Sequence, residues 1–177
     1  VGANGDVHIG DEPDVNDAVE ITARGGNSTS VALVDFAGDG GTITIATSDT
    51  VNAGNITVSS IVSLVSVTGG NANGNGAATA GNGGDIDVST TGTDGDILLA
   101  MELMTADGGN SNGSGAAGDA STSINISTNG DGSSITITHK DTFDGTDDAT
   151  SPTITASGGT NTSMGGSGDG GNGGLVS

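Results

Sequence analysis

The chain has 177 residues, 35 of them Gly, with two Phe and no Trp, Tyr or Cys; at this length it reads as one domain, 1–177, without a disulfide framework or a thiol nucleophile. Its 22 Asp plus Glu against 2 Lys plus Arg give a net charge of -20. That balance excludes nucleic acid as a partner, since binding phosphate needs a basic face, and it argues equally against anionic lipid. No apolar run approaches the roughly 18 residues of a membrane span. With neither an initiator Met nor a signal peptide ahead of Val1, the sequence reads as a mature form or a fragment.

In chain order, the turn cluster "GANG" precedes the short alternating strand "DVHIG", and the acidic loop "GDEPDVNDAVE" follows it. A strand then leads into Gly25-Gly26. The same Gly-Gly pair recurs at Gly69-Gly70, Gly108-Gly109 and Gly158-Gly159. Four residues before each pair stands Ile21, Val65, Met104 or Ile154, and two before it Ala23, Val67, Ala106 or Ala156. Such alternation marks a strand with one buried face. After each pair comes an arm of Gly, Asn, Ser and Ala, then a second strand: "TITIAT", "DIDVST", "SINIST" or "LVS". A third strand, "NITVS", "DILLA" or "SITIT", follows a turn cluster "NAG", "GTDG" or "NGDG".

From the first Gly of each pair to the apolar residue opening the second strand (Ile43, Ile86, Ile124, Leu175) the gaps are 18, 17, 16 and 17 residues. A flexible linker would drift in length, so the arms are expected to be ordered despite their composition. Repeats anchored near 25–68, 69–107, 108–157 and 158–177, with 1–24 completing a partial one, each read strand, arm, strand, turn, strand, variable loop. Short strands at a fixed period with no helix predict an all-β parallel β-solenoid (β-helix) of about four coils with long Gly/Asn-rich arms. A β-sandwich is the rival. Three core columns are expected: Ile21, Val65, Met104 and Ile154; Ile43, Ile86, Ile124 and Leu175; and Val7, Ile56, Ile97 and Ile135.

Joining the last residues to the first gives "GGLVSVGANGDVHIG", which matches the internal "GGDIDVSTTGTDGDILLA". Uncapped strand edges at both ends of the stack predict head-to-tail self-association into a filament, or excision from a longer solenoid. The elements "GGNANGNGAATAGNGGDIDVST" and "GGNSNGSGAAGDASTSINIST" resemble the glycine-rich repeats of large bacterial surface and secreted proteins of the filamentous-haemagglutinin type. That resemblance implies a parallel β-helix, an extracellular or cell-surface location, and service in adhesion or as fibrous material. The N-terminal secretion domain of that family is not apparent, and no functional residue carries over.

Catalysis is not expected. The basic residues are Arg24 and Lys140, and His8 and His139 occupy equivalent places beside third strands, where they read as solvent-facing. No aromatic platform for sugars is present, and no Ser has a convincing His partner. No cofactor is required. Ca²⁺ is the candidate ion: Asp11, Glu12, Asp14 and Asp17, or Asp141, Asp144, Asp147 and Asp148, could supply the oxygens it prefers. Both loops fall at the same position of the repeat and so along one edge, but neither matches an EF-hand, and the calcium nonapeptide is not reproduced. "TITIAT", "SITIT" and "PTIT" also suggest ice binding by stacked threonines, although "DIDVST" and "DILLA" interrupt that array. Thr is in any case a good exposed strand residue. The expected function is that of a non-enzymatic extracellular structural protein, a filament subunit, with a stalk segment of a cell-surface adhesin as the alternative.

Overall fold

Alternating Ile, Val and Thr with small polar residues give each repeat two faces, and parallel pairing of successive repeats lets the apolar face of one continue that of the next. The computed structural model describes residues 6–9, 19–29, 35–48, 54–74, 76–92, 94–120, 123–128, 132–138, 153–161 and 170–177. Among these the protein is all-β, without helix. Its strands are β1 (Val7–Ile9), β2 (Val19–Thr22), β3 (Thr42–Ser48), β4 (Ile56–Ser66), β5 (Asp85–Thr91), β6 (Ile97–Thr105), β7 (Ile124–Thr128), β8 (Ile135–Thr138) and β9 (Thr153–Thr155). All pair in parallel. One sheet runs β1-β4-β6-β8, with β2 also on β4 and β9 also on β6; the other is β3-β5-β7.

The registers align the repeats. Val7 pairs with Ile56, Ile56 with Ile97 and Ile97 with Ile135. Ile21 pairs with Val65, Val65 with Met104 and Met104 with Ile154. In the second sheet Ile43 pairs with Ile86, and Ile86 with Ile124. Inward residues of both sheets join one apolar cluster in which Ile56, Ile86, Ile97, Leu99, Met104 and Ile124 are fully buried. Each such side chain contributes about 1.5–3 kcal/mol. On β3 the alternation is complete: Ile43, Ile45 and Thr47 face in, while Thr42, Thr44, Ala46 and Ser48 face out. The inward threonines close the turns, since Thr47 Oγ1 donates to the Gly54 carbonyl (2.6 Å) and Thr90 Oγ1 to that of Gly95 (3.0 Å). In the β5–β6 turn Asp94 adopts φ 63°, a left-handed conformation that Asp tolerates better than most residues.

Two expectations are corrected. The third strand and the next leading strand are not separated by a loop in the two middle repeats; they fuse into β4 and β6, with a register shift between Val58 and Val62 where the loop was expected. Few residues lie between them there, and an extended chain can simply continue along its neighbour. At the insertions 10–18 and 139–152, which lie outside the described residues, two named strands flank each one. β1 stops at Ile9 opposite Val58 and β2 resumes at Val19 opposite Val62. β8 stops opposite Ala100 and β9 resumes opposite Leu103. The second correction concerns Leu175, since it is Val176 that pairs with Ile124. Ile124 donates to the Leu175 carbonyl and accepts from the Ser177 amide, at 2.9 and 3.0 Å. Because strand faces alternate with period two, this one-residue shift turns Leu175 off the column, and it is 60% exposed.

Replacing fully buried Ile86 by Asp places an unpaired charge between Ile43 and Ile124. The Ile86→Asp protein is expected to lose on the order of 4 kcal/mol or more and to be unfolded by circular dichroism. Leu175→Asp should melt close to wild type; equal melting of both variants would refute the column.

Candidate assembly surface

The arms are built from backbone. Each leaves the first sheet at a Gly-Gly pair and returns at a second glycine cluster before the second sheet, so two extended legs lie side by side. Hydrogen bonds join the legs of one repeat and those of successive repeats in strict alternation. The amide of Gly38 donates to the carbonyl of Gly26, Gly70 to Gly38, Gly81 to Gly70, Gly109 to Gly81, Gly118 to Gly109, Gly159 to Gly118 and Gly171 to Gly159, all at 2.8–3.0 Å. The result is one continuous relay through the four arms, in which every donor stands later in the chain than its acceptor. Further out, Ser28, Ala72, Ser111 and Asn161 form a bridged row, and Ala72, Ala78 and Ala80 make a small second core.

Three exposed columns of short amides and acids flank this framework, each using its side-chain oxygen to receive a backbone N–H from the next repeat. Asn27 Oδ1 accepts from the amide of Asn71, Asn71 from Asn110 and Asn110 from Thr160, each at 2.8 Å. Asp39 Oδ1 accepts from Asn82 at 2.7 Å, Asn82 from Asp119 at 2.9 Å and Asp119 from Asn172 at 2.8 Å. Asp6 Oδ1 accepts from Asn55 at 2.7 Å, Asn55 from Asp96 at 2.9 Å and Asp96 from Ser134 at 2.8 Å. Asp and Asn serve equally as acceptors, yet they alternate along the second column. No rung there sets two acids in neighbouring repeats; about 10 Å, close to the Debye length at moderate salt, separates Asp39 from Asp119. On the outer face of the second sheet Asp87 is treated alike, receiving Asn125 Nδ2 at 2.7 Å and Ser89 Oγ at 3.2 Å.

At one end of the first sheet lies a partly buried hydroxyl network. Arg24 Nε donates to Ser66 Oγ at 3.1 Å, Ser66 Oγ meets Thr68 Oγ1 at 2.8 Å, and Thr105 Oγ1 donates to Ser66 Oγ at 3.1 Å. Thr155 Oγ1 extends the same polar row to Asp107 Oδ2 at 3.1 Å. The sequence reading did not identify the three side-chain columns. Their signal was the Asn after Gly-Gly, the Asx one residue before the third strand and the Asx at the arm's return, each recurring in register.

His8 is exposed on β1, whereas His139 and Lys140 lie outside the described residues. So do all eight carboxylates expected to hold Ca²⁺: Asp11, Glu12, Asp14, Asp17, Asp141, Asp144, Asp147 and Asp148. The described strands do bring the flanks of both acidic insertions to matching places in the first sheet, on opposite sides of the β4–β6 pair. Among the described residues no group of three His, Asp or Glu is placed to hold a metal ion, and no helix is long and apolar enough to cross a membrane. No family model, curated protein or solved structure matches the chain.

The Asx columns separate two effects. Asn82→Ala removes one acceptor and is expected to cost about 1 kcal/mol in denaturant titrations at any salt concentration. Asn82→Asp keeps the acceptor but aligns three acids; its deficit should appear at low salt and shrink in 0.5 M NaCl. Asn71→Asp, between two neutral Asn residues, should behave as wild type. Equal salt dependence of Asn71→Asp and Asn82→Asp would refute the alternation rule.

Proposed function

We propose that the chain is a β-solenoid of four coils and a non-enzymatic extracellular structural protein, a subunit of a filament in which copies stack head to tail. The observation carrying this reading is the in-register stack itself. Among the described residues, β3 is paired on the side of β5 alone and Val176 on the side of Ile124 alone. Each outer strand therefore presents an open edge of the kind that pairs with another chain. The three Asn and Asp columns support a mechanical role, since their side chains bond one repeat to the next. A stack of this kind carries load through backbone ladders and apolar columns, and the acidic coat keeps separate rods apart.

Divalent cations enter the same reading. The strands that flank the two acidic insertions, β1 and β2 for one and β8 and β9 for the other, are the outermost of the first sheet, so stacked copies would bring the flanks of one insertion of each chain to a shared junction. Carboxylates collected there would repel without a counter-ion, and Ca²⁺ is the ion suited to such oxygens.

Negative-stain electron microscopy of the 177-residue chain, with and without millimolar Ca²⁺, tests both parts. Uniform filaments about one repeat wide are expected, longer or more numerous with Ca²⁺ than with chelator. Dispersed particles in both conditions would refute the filament and leave the stalk of a larger surface protein as the role. Filaments indifferent to chelator would remove the cation.

A further inference from the structure

The arms have a direction that a single chain does not use up. In a parallel stack equivalent residues point the same way, and in this column they point at the preceding repeat. A Cβ placed on Gly70 would fall on the carbonyl oxygen of Gly26, one on Gly109 on that of Gly70, and one on Gly159 on that of Gly109. Each of these positions requires glycine because another backbone lies against its α-carbon. Gly26 heads the column, and among the described residues a Cβ there would meet nothing within 4 Å. Nor does its backbone demand glycine, since among the described residues the glycines with positive φ are Gly92 and Gly132. Gly38 heads the parallel column of the returning leg. Gly81, Gly118 and Gly171 each abut a carbonyl of the preceding repeat, while among the described residues Gly38 meets no such carbonyl.

The hydrogen-bond relay is open at the matching places. Among the described residues the amide of Gly26 donates to no carbonyl, and the carbonyl of Gly171 accepts from no amide. One end offers a donor against a bare α-carbon, and the other offers an acceptor on a glycine backbone.

We infer that the arm face centred on Gly26 is the docking site for the two described legs of the last arm, 158–161 and 170–172, of a second copy of this chain. There the Gly26 amide donates to the second copy's Gly171 carbonyl, as Gly70 does to Gly38 at 2.9 Å. The carbonyl of Gly159 fills the space in which a Cβ at position 26 would stand. The Asp39 amide donates to Asn172 Oδ1, repeating the Asp39–Asn82 rung at 2.7 Å. Alongside, Ile43 of β3 takes up Val176, which is 45% exposed in the single chain, as Ile86 takes up Ile43. This inference rests on the stacking proposed above and supplies its register and its steric requirement.

Gly26→Val separates the interface from the fold. Sedimentation velocity is expected to show the wild-type chain as large assemblies and Gly26→Val as a monomer with a folded circular dichroism spectrum and a cooperative melt. Adding Gly70→Val to that monomer should abolish the melt, because the second side chain enters an occupied contact. Independently, the Cys-free sequence allows the pair Asp39→Cys and Asn172→Cys to report register. Rungs one strand spacing apart meet disulfide geometry, so oxidation of the double variant should give a ladder of covalent oligomers, and neither single variant should go beyond a dimer. A wild-type chain that stays monomeric at every concentration, a Gly26→Val chain that assembles like wild type, or one that fails to fold would each overturn the inference. A Gly26→Val/Gly70→Val chain that still melts cooperatively would instead overturn the stacked-arm reading beneath it.

Discussion

Two sheets and a set of arms share one repeat distance, and the arms can meet it only as bare backbone. Strands in a sheet lie about 4.8 Å apart in the hydrogen-bonding direction, and the Ile, Val and Leu columns hold the sheets to that spacing. The arms issue from the same strands and inherit it. They carry a second demand, because their two legs bond to each other within a repeat as well as to the next repeat. Backbone then approaches each leg from two directions, and a Cβ on the shared face would overlap a carbonyl. Glycine at Gly70, Gly81, Gly109 and Gly118 is the consequence. The relay between them is what makes a chain of such composition an ordered element rather than a tether.

Given that framework, the polar residues divide by the distance they must span. Asn and Asp are short enough to reach a backbone N–H one repeat away and bear an acceptor at the right place, so they form the exposed columns. Ser and Thr do the equivalent work where the sheet is buried. Ser66 and Thr105 bond to each other, and Thr47 and Thr90 fold back on turn carbonyls. Charge is distributed by the same geometry. A protein with a net charge of -20 whose side chains stack directly above one another must avoid acid over acid, and the Asp39, Asn82, Asp119, Asn172 sequence of one column does so.

Much of this organisation was legible along the chain because a stacked repeat converts sequence period into spatial register. Ile21, Val65, Met104 and Ile154 hold one offset from Gly-Gly, and that offset survives as a ladder. The near-constant arm length likewise pointed to order. The reading lapsed where register depends on something other than an apolar side chain. Leu175 and Val176 are both apolar and adjacent, so hydropathy alone does not choose between them; the hydrogen bonds from Ile124 and Ser177 do. The fusion of strands into β4 and β6 was hidden for a related reason. "SSIVS" has the composition of either a loop or a strand, and it becomes strand because a neighbouring backbone runs beside it.

By itself, then, the sequence determined the period, the identity of the repeating positions, the all-β character and the acidic surface, since each follows from residue type at a fixed interval. Tertiary structure decided which backbone atoms meet. The alternation of bonds within and between arms, the direction of the relay, the side-chain columns that follow it and the open contact at Gly26 all arise from atoms 9 to 53 residues apart. A glycine reads the same in sequence whether it serves a turn, a linker or a contact. Only the presence or absence of a carbonyl against its α-carbon distinguishes these uses, and that is a property of the neighbour.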